Sequence, residues 1–256
     1  SGAGHPEDQT AYRVSVDSSG DVYVAGNSQE TLHGVEAANS PFVVKYDGQG
    51  NLLWVEVVGF PNSGVAKDVV IDNADNIYVV GEMTLVDGQK KDGFIVKFMA
   101  DGLLQWHELF SAVVDRDEMF AAVEVDQEGN VLVAGSIVGE VNDLEVQGES
   151  DAFWVKYDPL GRVEWTERFG TDFADYPAGI HATSSGAVVV TGFSGNHPSQ
   201  NNDLFVRKFI PQSQPDLIVD RVDSEISLSS FLLTGHTSPG ATISVVVTEP
   251  VHSSAT

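Results

Sequence analysis

An all-β fold, a β-propeller of four recognisable four-stranded repeats followed by a short β-sandwich-like segment, is what this sequence predicts, and three internal repetitions predict it. The run FVVKY from Phe42 returns as FIVKF from Phe94, FWVKY from Phe153 and FVRKF from Phe205, at spacings of 52, 59 and 52 residues. The run VSVDSSGDVYVAG from Val14 returns as VVIDNADNIYVVG from Val69, VEVDQEGNVLVAG from Val123 and IHATSSGAVVVTG from Ile180. A tryptophan-centred run recurs at Trp54, Trp106 and Trp165, with no fourth copy.

In order along each repeat, the first strand ends at Asp17, Asp72, Asp126 or Thr183, and a polar turn such as DSSGD or DNADN follows. The Asp side chain bonds its own turn backbone, and Gly supplies the positive φ that closes a tight connection. The second strand ends on Gly26, Gly81, Gly135 or Gly192. A loop leads to the third strand, FVVKY and its copies, and a second turn such as DGQGN leads to the tryptophan strand. No stretch shows helical period and capping. Four strands in about 53 residues read as one propeller blade, because a single small sheet cannot bury both faces without neighbours stacked on it.

The 256 residues carry 42% hydrophobic side chains, enough for a buried core. Thirteen Lys and Arg stand against 38 Asp and Glu, a formal charge of −25. That excludes nucleic acid and anionic membrane surfaces as partners that need clustered cations. Cysteine is absent, which removes disulfides, thiolate metal sites and a Cys nucleophile. No apolar run reaches the roughly 18 residues of a spanning helix, so no membrane insertion is expected. The first residue is Ser1 and the first methionine Met83, which reads as a processed start with any signal peptide removed.

The order VDssGnvYVaG, dxFVxKyd, GxxxW resembles the bacterial SBBP repeat family of β-propellers over roughly residues 8–212. The fourth copy departs from it, with Thr183 in place of the repeated Asp, and with Gln214 and Pro215 where a tryptophan strand should begin. The resemblance implies a secreted or surface-exposed bacterial protein and no single activity. A weaker resemblance, carried by the glycine before tryptophan at Gly50 and Trp54, is to quinoprotein dehydrogenase propellers; their cofactor bed and calcium site are not found in this sequence.

Residues 1–212 are therefore read as the propeller and 213–256 as a second module. The latter predicts strands at 216–222, 231–234 and 242–248, and LTGHTSPGATISVVV resembles the opening of bacterial immunoglobulin-like domains. Such a sandwich takes roughly 80 to 100 residues, so this one is incomplete. Three explanations stay open: a fragment of a longer protein, a segment that supplies the missing blade strand, or completion in trans by a neighbouring chain through residues 216–248.

Residues that recur in every blade are read as structural, since a single site needs its groups once. Lys45, Lys97, Lys156 and Lys208, with Asp17, Asp72 and Asp126, become ion pairs or turn caps, and the repeated tryptophans become packing aromatics. Function is expected in the unrepeated loops at 27–41, 82–93, 136–152 and 193–203. The third carries Glu140, Asp143, Glu145, Glu149 and Asp151, calcium candidates by their oxygen ligands, although the DxDxDG spacing is missing. Asp115, Asp117 and Glu118 form a second acidic cluster. The seven histidines, His5, His33, His107, His181, His197, His236 and His252, lack paired spacing for a metal. No catalytic residue and no bound cofactor is nominated.

The expected role is a non-enzymatic structural, adhesive or assembly module of a bacterial exterior, polymerising through its C-terminal strands. Alternatives are a calcium-dependent adhesin and a propeller that binds or degrades surface polysaccharide in its central funnel. The last is favoured if carboxylates and an aromatic from different blades converge at one rim.

Overall fold

A computed structural model describes residues 9–37, 39–58, 63–84, 90–110, 117–138, 150–196 and 201–210. Blade one comprises β1 (Gln9–Val16), β2 (Val22–Ser28), a small hairpin of β3 (Thr31–Leu32) and β4 (Val35–Glu36), β5 (Ser40–Tyr46) and β6 (Leu52–Val57). Blade two is β7 (Gly64–Ile71), β8 (Ile77–Thr84), β9 (Lys91–Phe98) and β10 (Leu104–Phe110). Blade three is β11 (Glu118–Val125), β12 (Val131–Ile137), β13 (Asp151–Tyr157) and β14 (Val163–Phe169). The last described sheet has three strands, β15 (Asp175–Ala182), β16 (Val188–Asn196) and β17 (Asn201–Phe209). Every sheet is an antiparallel meander apart from the small inserted hairpin, so the protein is all-β with the sheet content of a propeller. The module expected at 213–256 lies outside the described residues.

The turns form as their composition dictates. Asp17 Oδ1 accepts the N–H groups of Ser19 and Asp21, and Asp47, Asp72, Asp126 and Asp158 repeat this two-donor grip on the residues two and four ahead. Thr183, the departure in the fourth copy, accepts the N–H of Ala187 through Oγ1 and so keeps half of the grip. The recurring glycine of the second strand is a matter of close approach. A Cβ on Gly26 would meet the carbonyl oxygen of Thr10 on β1 and the ring of Phe42 on β5.

Consecutive sheets stack face to face. Tyr23, Ala25 and Val43 of blade one meet Val79, Phe94 and Val96 of blade two. Tyr78, Val80 and Ile95 then meet Val133, Phe153 and Val155 of blade three, and Trp154 and Phe169 meet Phe205 and Phe209 of the last sheet. Each fully buried Val or Phe contributes roughly 1.5–3 kcal/mol from area alone. The repeated tryptophan clasps the next blade. Trp54 Nε1 donates to the Ala100 carbonyl and its ring lies over Gly102, which has φ +88°. Trp106 does the same with the Pro159 carbonyl and Gly161, φ +85°.

No comparable packing joins β15 back to β1, so the described sheets form an open arc. The β3–β4 hairpin, which the sequence reading missed, packs on the face of blade one that points away from blade two. Leu32 and Ala37 cover Phe42 and Val44, and His33 Nε2 meets Tyr46 Oη at 2.8 Å. Its turn is His33–Gly34, both at positive φ. The hairpin thus covers apolar side chains that the face of the blade-one sheet would otherwise expose.

Candidate functional site

The first strands β1, β7, β11 and β15 are the inner edges of their sheets and pack one on the next. Each carries a β-bulge at the same place: after Ala11, Ala66, Phe120 and Pro177. A bulge re-aims the side chains that follow it. The positions just past it hold Arg13, Asp68, Ala122 and Gly179, and those two further on hold Ser15, Val70, Glu124 and His181. These positions are structurally equivalent yet chemically different from blade to blade, unlike the lysines and tryptophans.

The charged members connect across blades. Arg13 Nε lies 3.4 Å from Asp68 Oδ1. Asp68 accepts the Val69 N–H at 2.9 Å and, across the blade boundary, the Val123 N–H at 3.0 Å. His181 Nδ1 lies 3.6 Å from Glu124 Oε1. The side chains of Arg13 and His181 are largely open to solvent, and those of Asp68 and Glu124 are partly covered. Beside Arg13, Tyr12 is 44% exposed, with Lys67 Nζ 5.5 Å from its ring centre.

Burial pushes the Asp68 carboxyl above the usual carboxylate range, against the Val123 and Val69 N–H groups and Arg13, which pull it down. Burial also raises Glu124; His181 opposes this and the neighbouring Asp68 charge adds to it. Two acids with raised proton affinity on adjacent blades, flanked by a guanidinium and an imidazole, can bind a hydroxyl-rich ligand. They can also hold and release a proton.

Of the calcium candidates, Glu140, Asp143, Glu145 and Glu149 lie outside the described residues, as does Asp115. Asp151 opens β13, almost fully buried, with Arg168 Nε and Nη2 both 2.6 Å from its Oδ2. Asp117 Oδ1 accepts the Lys91 N–H, and Glu118 is fully buried at the start of β11. Among the described residues no group of three or more His, Asp or Glu side chains is placed to hold a metal ion. Lys45 pairs with Asp17 and Asp21 at 3.2 and 3.1 Å. Hydrogen bonds to Tyr23, Asp21 and Asp17 raise it against its burial. Lys45 also lies over the Tyr23 ring, a contact that blade two repeats and blade three does not. Lys97 lies over the Tyr78 ring, and Lys156 pairs with Glu164, because Leu132 replaces the tyrosine whose hydroxyl meets the turn Asp in blades one and two.

The sequence reading passed over Arg13, Asp68, Glu124 and Tyr12. The signal was available: aligned as YRVSVD, KDVVID, AAVEVD and AGIHAT, the four copies disagree most at these positions.

No protein-family model matches the chain. It is similar to an uncharacterised WD repeat-containing protein of Acanthamoeba polyphaga mimivirus, 23% identical over 209 residues, 66% of this chain and 15% of that protein. The chain thus spans a small part of that relative's length. Among solved structures it is similar to an endo-arabinase of Bacteroides thetaiotaomicron VPI-5482, at 11% identity and TM-score 0.47, covering 79% of this chain and 75% of that one. That neighbour is an enzyme, which overturns the expectation that this architecture is non-enzymatic. The likeness is too low to carry an activity to this chain.

Proposed function

We propose that this propeller binds a neutral saccharide across its inner strands. Arg13, Asp68, Glu124 and His181 supply the hydrogen bonds, and Tyr12 supplies a stacking face. The observation that supports this reading is the run of linked charged groups at unrepeated positions of the inner strands, with Arg13 on Asp68, Asp68 on the Val123 N–H and His181 beside Glu124. Neutral and not anionic glycans fit a chain of charge −25. Should the bound glycan be cleaved, Asp68, held by two N–H groups and Arg13, is the better anion. Glu124 beside it is the better proton donor.

Isothermal titration with a panel of neutral oligosaccharides tests this. Binding is expected, weakened at least tenfold in Asp68→Asn and Glu124→Gln. Absence of binding across the panel, or variants that bind as the parent does, would overturn it.

The repeat motifs support grouping with SBBP-type propellers, and that resemblance alone supports a setting outside the cell. Calcium at Glu140, Asp143, Glu145 and Glu149, without the Arg168-bound Asp151, belongs to the same set of proposals; it predicts a higher melting temperature at millimolar calcium.

A further inference from the structure

The fourth sheet ends at β17, whose outer edge has no strand beside it among the described residues. In the three complete blades that edge is covered by the tryptophan strand in a fixed register. Lys45 faces Trp54, Lys97 faces Trp106 and Lys156 faces Trp165, each pair nine residues apart. Nine residues beyond Lys208, the lysine of β17, stands Leu217, and from it runs Leu-Ile-Val-Asp-Arg-Val to Val222.

Two observations in the described part bear on the same edge. Trp54 and Trp106 are each half-buried on the turn of the following blade, three and five residues past its lysine. Trp165, their counterpart, is 51% exposed, and the chain three and five residues past Lys208 is Pro211 and Ser213. On the open face of the last sheet, Leu204 is 52% and Phe193 39% exposed.

From this spacing we propose that residues 217–222 dock in cis as the fourth strand of the last blade, antiparallel to β17, with Leu217 at the tryptophan position. The preceding turn then lies over Trp165. A linker of the length used by three hairpins favours the same chain over a neighbour, because a donor from another molecule has no reason to keep that count. Pro215 stands two residues before the tryptophan position, where Leu52, Leu104 and Val163 open the other tryptophan strands, ahead of residues 217–222 and at a sheet edge, where a missing N–H is tolerated. Ser213 replaces the positive-φ glycine of the other turns, so this hairpin closes less readily than its counterparts.

The register pairs position 204 with 221, as it pairs Gly93 with Phe110 and Ala152 with Phe169. It likewise pairs 206 with 219. The natural chain has no cysteine, so the full-length double variant Leu204→Cys/Arg221→Cys reports cleanly under mild oxidation. Val206→Cys/Val219→Cys serves as the second variant should the first not fold, and Leu204→Cys/Ser230→Cys as the out-of-register control. The proposal expects a monomeric, intramolecularly linked product from the in-register pairs, at several times the yield of the control. Linked dimers as the main product, or equal yields from pairs and control, would overturn it.

Discussion

The carboxylate of Asp68 holds the backbone N–H of Val123 at 3.0 Å across the boundary between blades two and three, while Arg13 of blade one lies on its other oxygen at 3.4 Å. One side chain thus joins three consecutive blades at their inner edge. A ligand that displaces water around it would be read by all three.

Removing that carboxylate leaves a buried donor without its acceptor. Asp68→Ala is expected to cost about 1–3 kcal/mol, the desolvation penalty of an unmade hydrogen bond. Denaturant unfolding measures the cost. Hydrogen exchange should show the Val123 amide losing protection ahead of its neighbours on β11.

The raised acids set a pH dependence. Glu124 binds its proton more tightly folded than unfolded, so its contribution is fully present below the ordinary carboxylate range and is lost as pH rises through the folded value. Glu124→Gln should therefore flatten the decline in unfolding free energy that sets in as pH rises above the ordinary carboxylate range. An unchanged profile would mean that the group titrates as in water.

Equivalent lysines should differ in weight. Lys45 is 9% exposed and pairs with Asp17, whose side chain is 2% exposed, so Lys45→Met strands a buried charge and should cost about 3 kcal/mol. Lys156 and Glu164 are 30% and 47% exposed, and Lys156→Met should cost less than about 1 kcal/mol. Thermal melts of the two variants side by side decide this.

The tryptophan clasp depends on a residue without a Cβ. At Gly161, φ is +85° and an added Cβ would lie 2.9 Å from Trp106 Cδ2. Gly161→Ala should destabilise by about 1–3 kcal/mol. It should also shift Trp106 emission to the red.

Whatever repeats was legible in the sequence. The turn aspartates, the second-strand glycines and the Phe-Val-Val-Lys strands announce themselves because each does the same local task in each blade. Thr183 looked like a defect and proves a working cap, since a hydroxyl accepts the same N–H. The β3–β4 hairpin stayed hidden because two-residue strands around His33–Gly34 have no periodicity to read. Arg13, Asp68 and Glu124 stayed hidden for another reason. Their neighbourhood is created by stacking residues some 55 positions apart, and a search for recurring chemistry passes over positions where chemistry changes. Asp151 illustrates the converse: its charge suggested a loop ligand, whereas the strand start buries it against Arg168.

The most direct test of the saccharide site is to follow backbone amide resonances while titrating a neutral oligosaccharide. The account predicts that Val69 and Val123, the two N–H groups bonded to Asp68, shift together with Arg13 and Glu124, and that Asp68→Asn abolishes the shifts. Shifts confined to the polar turns around Asp72 and Asp126, with the inner strands unmoved, would contradict it.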